Sequence, residues 1–418
     1  MTTTLYHNAR IFTPVDTGKP AAGEDQGDIT SWENGALLVK NGQIAALGKE
    51  ADVRDDIASH PPDQEVDLGG RCVIPGFVDP HTHMCFAERR EAEFEQRIAG
   101  TPYMEILARG GGILSSVRSV RAAHEDDLFA MTLRTVRAAM ALGTTTVEIK
   151  SGYGLDTDSE LKMLRAIARV AEEVPVDVVP TFLGAHAIPQ EFKENPDAFV
   201  DLVVSEMLPA VSEQGIARFC DVFCETGVFS IDQTRRVLSA AKEVGLAVKL
   251  HADEVNDLGG AGLAAELSAV SADHLLASNP ENLARMAEAG VVANLLPATA
   301  YSLRKPYARA RDMIAAGVPV ALATDCNPGS SYTESMPFVV GLAVMCMGLT
   351  PAEALTAATL NAAYALKLSD RLGSLDIGKQ ADFLVLDGES PAILAYHAGV
   401  SPVVEVFKNG RHIAGNLE

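Results

Sequence analysis

Pro75-Gly76-Phe77-Val78-Asp79-Pro80-His81-Thr82-His83 closes an apolar run that begins at Val73 and finishes on two histidines one residue apart. Side chains alternate faces along a strand, so positions i and i+2 point the same way and both imidazoles converge on one point. A bare H-x-H is also compatible with two surface histidines in a polar turn. The rest of the chain decides between these. Seven further strand-like segments follow, at 145–149, 177–183, 218–223, 247–250, 271–274, 291–296 and 320–324, and they alternate with helical patterns. With 73–79 they make eight, which predicts an α/β fold: a (β/α)8 TIM-like barrel over residues 73–368. In such a barrel, catalytic groups sit at the C-terminal ends of the strands.

The two ends of the chain read differently. Ala36-Leu37-Leu38-Val39 and Ile44-Ala45-Ala46-Leu47 flank Asn41-Gly42, a hairpin signal because both central residues must take positive φ. Lys408-Asn409-Gly410-Arg411 repeats the phrase after a further strand at 382–386. Residues 1–72 and 369–418 are therefore expected to build one small β-sandwich from both termini. Residues 16–33, polar and rich in Gly and Pro, read as an exposed loop. The last barrel helix opens with Thr350, Pro351 and Glu353 as a capping box and is expected to run to Leu366.

Composition narrows the function classes. With 34 Lys and Arg against 56 Asp and Glu, the formal charge is −22, which disfavours nucleic acid and anionic membrane as partners. Residues 1–10 lack the basic start and apolar core of a signal peptide, and no apolar run would cross a bilayer, so a cytoplasmic location is expected. The six cysteines (Cys72, Cys85, Cys220, Cys224, Cys326, Cys346) lack disulfide-scaffold spacing. Cys220 and Cys224 share one face of a strand with no partner pair at zinc-finger spacing, and are expected in the core.

Five of the ten histidines fall at strand ends: His81, His83, His186, His251 and His274. The eighth strand ends in Asp325, which barrel closure brings beside the first. His81, His83, His251 and Asp325 form a nitrogen and oxygen donor set suited to one divalent ion, Zn or Fe, whose role would be to lower the pKa of a bound water. Glu254 lies three residues beyond His251, in position for proton transfer, and His274 ranks second for catalysis. Asp253 is the weaker candidate for the role of Glu254. Arg90 suits a substrate carboxylate, or equally a salt-bridge network within Glu88-Arg89-Arg90-Glu91. Ser151-Gly152-Tyr153-Gly154 offers a phenol between glycines, and Asn327-Pro328-Gly329-Ser330 presents amides at the rim. Gly110-Gly111-Gly112 would hinge a lid and lacks the lysine of a phosphate loop.

These phrases, with Phe182-Leu183-Gly184-Ala185-His186 and Ser271-Ala272-Asp273-His274-Leu275, resemble those of the imidazolonepropionase family of the amidohydrolase superfamily, hydrolases of histidine degradation. H-x-H alone points only to the superfamily; Ser-Gly-Tyr-Gly and Asn-Pro-Gly-Ser are far more particular. The resemblance implies hydrolysis of the ring amide of 4-imidazolone-5-propanoate to N-formimino-L-glutamate. It implies that His81, His83, His251 and Asp325 hold the metal and that Glu254 and His274 handle protons and the oxyanion. Arg90, Tyr153, His186, Glu254, Asn327, Gly329 and Ser330 would then bind the substrate, in a homodimer. Binuclear relatives carry a carboxylated lysine at the end of the fourth strand; here Cys224-Glu225 stands there and Lys150 is on the second, so one metal is expected. Ala298 departs from an expected glycine in the seventh-strand loop. A nucleobase deaminase shares H-x-H, H-x-x-E and the final aspartate, but Arg90 with Tyr153 favours a carboxylate-bearing ring. A non-catalytic scaffold on the same barrel would usually lose ligands, and all four are present.

Overall fold

The computed structural model describes residues 3–101, 105–106 and 110–415. The N-terminal segment supplies β1 (Thr3–Pro14), β2 (Ile29–Lys40), β3 (Gln43–Lys49), β4 (Gln64–Asp67) and β5 (Cys72–Pro75). The central segment supplies β6 (Phe77–Asp79), β7 (Thr144–Lys150), β8 (Asp177–Ala185), β9 (Phe219–Cys224), β10 (Ala247–Ala252), β11 (Ser271–His274), β12 (Val292–Leu295) and β13 (Val320–Leu322). The C-terminal segment adds β14 (Phe383–Leu386), β15 (Val403–Lys408) and β16 (Arg411–Gly415).

The terminal strands form one eight-stranded sheet in the order β16-β15-β14-β5-β1-β2-β3, with β4 also on β1. The long β1 shares one edge between two partners: Thr4 to His7 pair with β4, and Arg10 and Ile11 with β5. Both Asn-Gly turns have the conformation their sequence demands, with φ of 55° at Asn41 and 50° at Asn409. Tyr6, Phe383 and Phe407 pack as an aromatic core, the two phenylalanines stacked at 4.3 Å, and the Tyr6 hydroxyl donates to the Gly410 carbonyl.

The eight strands β6 to β13 follow in chain order, each parallel to its neighbour, as a right-handed βα barrel requires. Helices between them bury one stripe. In Thr157–Glu173, Met163, Leu164, Ile167 and Val170 face inward at i, i+1, i+4 and i+7, and Asp156 caps the start through the Ser159 N–H. The barrel closes beyond the formal strand ends, where Thr82 bridges Cys326 and the Asp325 N–H donates to the His81 carbonyl at 3.1 Å. That closure puts the last strand's carboxylate beside the first strand's imidazoles. Among the described residues, no helix is long and apolar enough to cross a membrane.

Three expectations change. The single strand expected over 73–79 is two: β5 pairs with β14 and β1, and β6 begins the barrel, because at Gly76 the backbone N–H turns to Asp382. Residues 16–33 are not simply an exposed loop. Gln26 is buried and bonds both backbone groups of Val320, Asp16 accepts from Lys379 and Tyr364, and 29–33 belong to β2. Polar composition misled there because these side chains satisfy buried backbone instead of water. The capping box at Thr350 is present, but the helix breaks at Thr359 into Pro351–Ala358 and Leu360–Tyr364. The break lets Asn361 exchange bonds with Ala21 and with the Val320 carbonyl.

Candidate metal centre and active site

His81 and His83 follow β6, and His251 lies in β10; their Nε2 atoms converge, with His83 at 3.3 Å from each of the other two. Asp325 Oδ1 stands 3.5 Å from Nε2 of both His81 and His83. All four side chains are buried. The opposite ring nitrogens decide the tautomers. His81 Nδ1–H donates to Asp273 Oδ2 at 2.5 Å, and His251 Nδ1–H donates to Asp221 Oδ1 at 3.0 Å. Both Nε2 atoms therefore carry lone pairs, and burial, helped by Lys150 and the neighbouring imidazoles, holds His81 far below the ordinary value. Burial does the same for His83. His251 goes the other way: burial lowers it, but the Asp221 carboxylate outweighs that and raises it.

Lone pairs facing one another at this range repel unless a cation lies between them. A tetrahedron with bonds of about 2.1 Å has edges of about 3.4 Å, the spacing that the pairs His81–His83, His83–His251, His81–Asp325 and His83–Asp325 already have. The residues fit a single divalent ion. Asp325 is further held by the Thr299 hydroxyl, which donates to Oδ2 at 2.5 Å and leaves Oδ1 toward the imidazoles.

Glu254 and His274 flank this cluster, Oε2 to Nε2 3.8 Å apart, and both line a cavity of about 290 Å³ with Leu296, Thr299 and Tyr307. Burial pushes the Glu254 carboxyl up to about 6, with Glu225 adding to it and His251 opposing. Burial takes His274 down to about 3, so its imidazole is neutral at physiological pH. The backbone here is unusual: Asp253, His274, Leu275 and Asp325 all have positive φ. The strain is held in place by bonds from the Leu275 N–H to Ala252 and the Ala277 N–H to Asp253. Asp253, the alternative to Glu254, is consumed structurally, accepting from the backbone of Leu258, Gly260 and Ala261 and from Ser278. Glu225, at the end of the fourth barrel strand, ties down the loop after the fifth through Val255 and Asn256.

The remaining candidates surround the same rim. The His186 ring stacks on His83 at 4.9 Å and its Nδ1–H donates to the Gly152 carbonyl. Tyr153 is buried, with ring centroids 6.0 Å from His83 and 5.2 Å from His186. Its loop is organised by a residue not anticipated, Glu160, whose buried carboxylate accepts from the N–H groups of Gly152, Gly154 and Leu155. Glu160→Ala strands three buried donors at about 1–3 kcal/mol each. The expected result is a loss of at least roughly 3 kcal/mol in thermal unfolding with a raised KM; an unchanged Tm would exclude this role.

Asn327, Gly329 and Ser330 form one tight loop, in which the Asn327 side-chain Oδ1 accepts from the backbone N–H groups of both others. Arg90 lies against it: a Cβ on Gly329 would come within 1.9 Å of the guanidinium, so only glycine permits this approach. The two readings of Arg90 are both present, since Nε pairs with Glu93 at 3.2 Å while the side chain lines a second cavity of about 330 Å³ with Gly329 and Tyr332. The glycines 110–112 lead into a helix: Gly112 is the N-cap of Ile113–Ala122, and its N–H donates to the Glu93 carboxylate. No disulfide occurs among the described residues, and Cys220 and Cys224 are buried, as expected of core residues.

The buried layer beneath the imidazoles escaped notice in the sequence. It comprises Glu148, Lys150, Asp221, Lys249 and Asp273. The signal was available, because Glu148 and Lys150, Lys249 and His251, and Ser271 and Asp273 are polar pairs two apart in otherwise apolar strands.

The family model described as "Amidohydrolase family" matches residues 72–413. An imidazolonepropionase of Desulfotalea psychrophila is 64% identical over 409 residues, covering 98% of this chain and 99% of that protein. Another, from Syntrophobacter fumaroxidans, is 64% identical over 408 residues, covering 98% and 96%. The chain is an imidazolonepropionase-family amidohydrolase. Family membership agrees with the resemblance drawn from the motifs and makes the chain a hydrolase. Among solved structures, a 5-methylcytosine deaminase from Klebsiella pneumoniae superposes with a TM-score of 0.74 at 18% identity, covering 99% and 98% of the chains. An adenosine deaminase from Xanthomonas campestris with bound zinc gives 0.71 at 20%, covering 99% and 93%. At those identities the likeness is one of fold.

Proposed function

We propose that this chain hydrolyses the ring amide of 4-imidazolone-5-propanoate to N-formimino-L-glutamate, with Glu254 as general base and His274 as the group facing the developing oxyanion. The observation that carries it is the placement of an ionisable carboxyl and a neutral imidazole, 3.8 Å apart, beside the converged Nε2 atoms. A divalent ion, zinc or iron, held by His81, His83, His251 and Asp325 would supply Lewis acidity toward the attacking water and the carbonyl.

Glu254 takes the proton of the water that attacks the ring carbonyl carbon, and returns it to the ring nitrogen as the C–N bond breaks. His274, uncharged, offers an N–H to the carbonyl oxygen as it becomes negative. Arg90 takes the propionate carboxylate on the far side of the cluster, and Tyr153, His186, Asn327, Gly329 and Ser330 orient the ring and tail between them. The same reading carries one metal per chain and a cytoplasmic homodimer that meets neither nucleic acid nor membrane; the net charge of −22 supports the last point. The test follows imidazolone propionate absorbance with pure protein before and after chelation. Decay that stops on chelation and returns with zinc or iron is expected. Inert substrate, or ammonia released from a nucleobase instead, would overturn the assignment.

A further inference from the structure

The reaction described above uses neither of the lysines buried beneath the imidazoles, and of these Lys150 has the more telling surroundings. Its ammonium lies 2.7 Å from Glu148 Oε2, 2.8 Å from Asp221 Oδ2 and 4.0 Å from Asp273 Oδ2, all with fully buried side chains. His81, Asp221 and Asp273 offer donor atoms within 4.8 Å of one another, a grouping able to hold a metal ion. The two carboxylates are the same ones that accept the Nδ1–H of His251 and His81. Lys249 is placed differently, bonding the Pro80 carbonyl at 2.7 Å and Glu148 at 3.1 Å.

We propose that Lys150 is a built-in cation: its ammonium stands where a second divalent ion would otherwise sit among His81, Asp221 and Asp273, and thereby keeps the centre mononuclear. Two carboxylates so close together repel, and burial removes the water that would screen them. A positive charge between them is required. A divalent ion there would compete for the carboxylate oxygens and for His81 Nδ1. The Lys150 ammonium pairs with Asp221 at 2.8 Å, faces Asp273 across 4.0 Å, and leaves each carboxylate free to accept from its histidine, which keeps both Nε2 lone pairs turned to the first site. Lys150 is therefore a positioning residue, acting through Asp221 and Asp273. A carbamylated Lys150 would bring a further negative charge among Glu148, Asp221 and Asp273, so the unmodified amine is the form this pocket holds.

The inference rests on the reading of His81, His83, His251 and Asp325 as a metal site, and the test separates the two. Wild type and Lys150→Met are stripped, reloaded with excess zinc alone, freed of unbound ion by gel filtration and analysed for metal. One ion per chain in wild type and two in Lys150→Met is the expected result, with Lys150→Arg, which retains a cation, staying at one. A folded Lys150→Met that holds one ion overturns the proposal. Should that variant not fold, Lys150→Gln is read in the same way, and a wild type that takes up two ions overturns the proposal without any variant. A wild type that binds none would remove the underlying metal-site reading, and the proposal with it.

Discussion

Glu254→Gln will keep about one metal ion per chain and lose roughly 10²- to 10⁴-fold in kcat, the range expected for removal of a general base. The amide is nearly isosteric and still fits beside His274, but it accepts no proton. Metal content should hold because Glu254 is not among the converged donors. The pH profile supplies a second check. A general base works only when deprotonated, and burial sets the Glu254 carboxyl at about 6. Turnover should therefore be full above that value and fall about tenfold per pH unit below it. His274, neutral down to about 3, adds no limb in the same window. In Glu254→Gln the acidic limb should vanish along with the rate. Near-normal turnover, or an acidic limb that persists in the variant, would assign the proton transfer elsewhere.

His251→Ala should have the other large effect. It removes one of the three Nε2 atoms that lie 3.3 Å apart in pairs through His83, and it frees the Asp221 carboxylate that now accepts from His251. Three protein donors then remain, and the expected outcome is metal content well below one per chain after gel filtration. A bound metal contributes several kcal/mol of charge stabilisation in the transition state. At about 1.4 kcal/mol per tenfold, its loss corresponds to a fall in kcat/KM of about 10³-fold or more. Circular dichroism should stay near that of wild type, because the eight-stranded frame does not depend on this ring. A folded variant with full metal content and rate would remove His251 from the centre.

Much of this was legible in the chain alone. Strand and helix periodicity in the central segment predicts eight strands, and an imidazole or carboxylate at the end of a barrel strand has only one rim to occupy. That is why His81, His83, His186, His251, His274 and Asp325 could be assembled without coordinates. The Asn-Gly turns at 41–42 and 409–410 were equally local, since positive φ at both positions is a property of the dipeptide. Contacts between distant segments were not legible. Gln26 reads as a loop residue until Val320 is seen beside it, and the helix break at Thr359 answers to Asn361 reaching Ala21.

The sequence by itself predicted the barrel through periodicity and gathered the candidate donors on one rim through residue type at strand ends, while its motif phrases carried the family resemblance. Only the tertiary structure decided the electrostatics under the site: which nitrogen of His81 and His251 carries the proton, that Asp253 is consumed by backbone while Glu254 faces His274, and that Lys150 lies among three carboxylates. A strand's pattern says which face a side chain takes, but charge pairing depends on which strands become neighbours across the barrel interior. In a site from which water is excluded, those neighbours set the protonation states on which the chemistry runs.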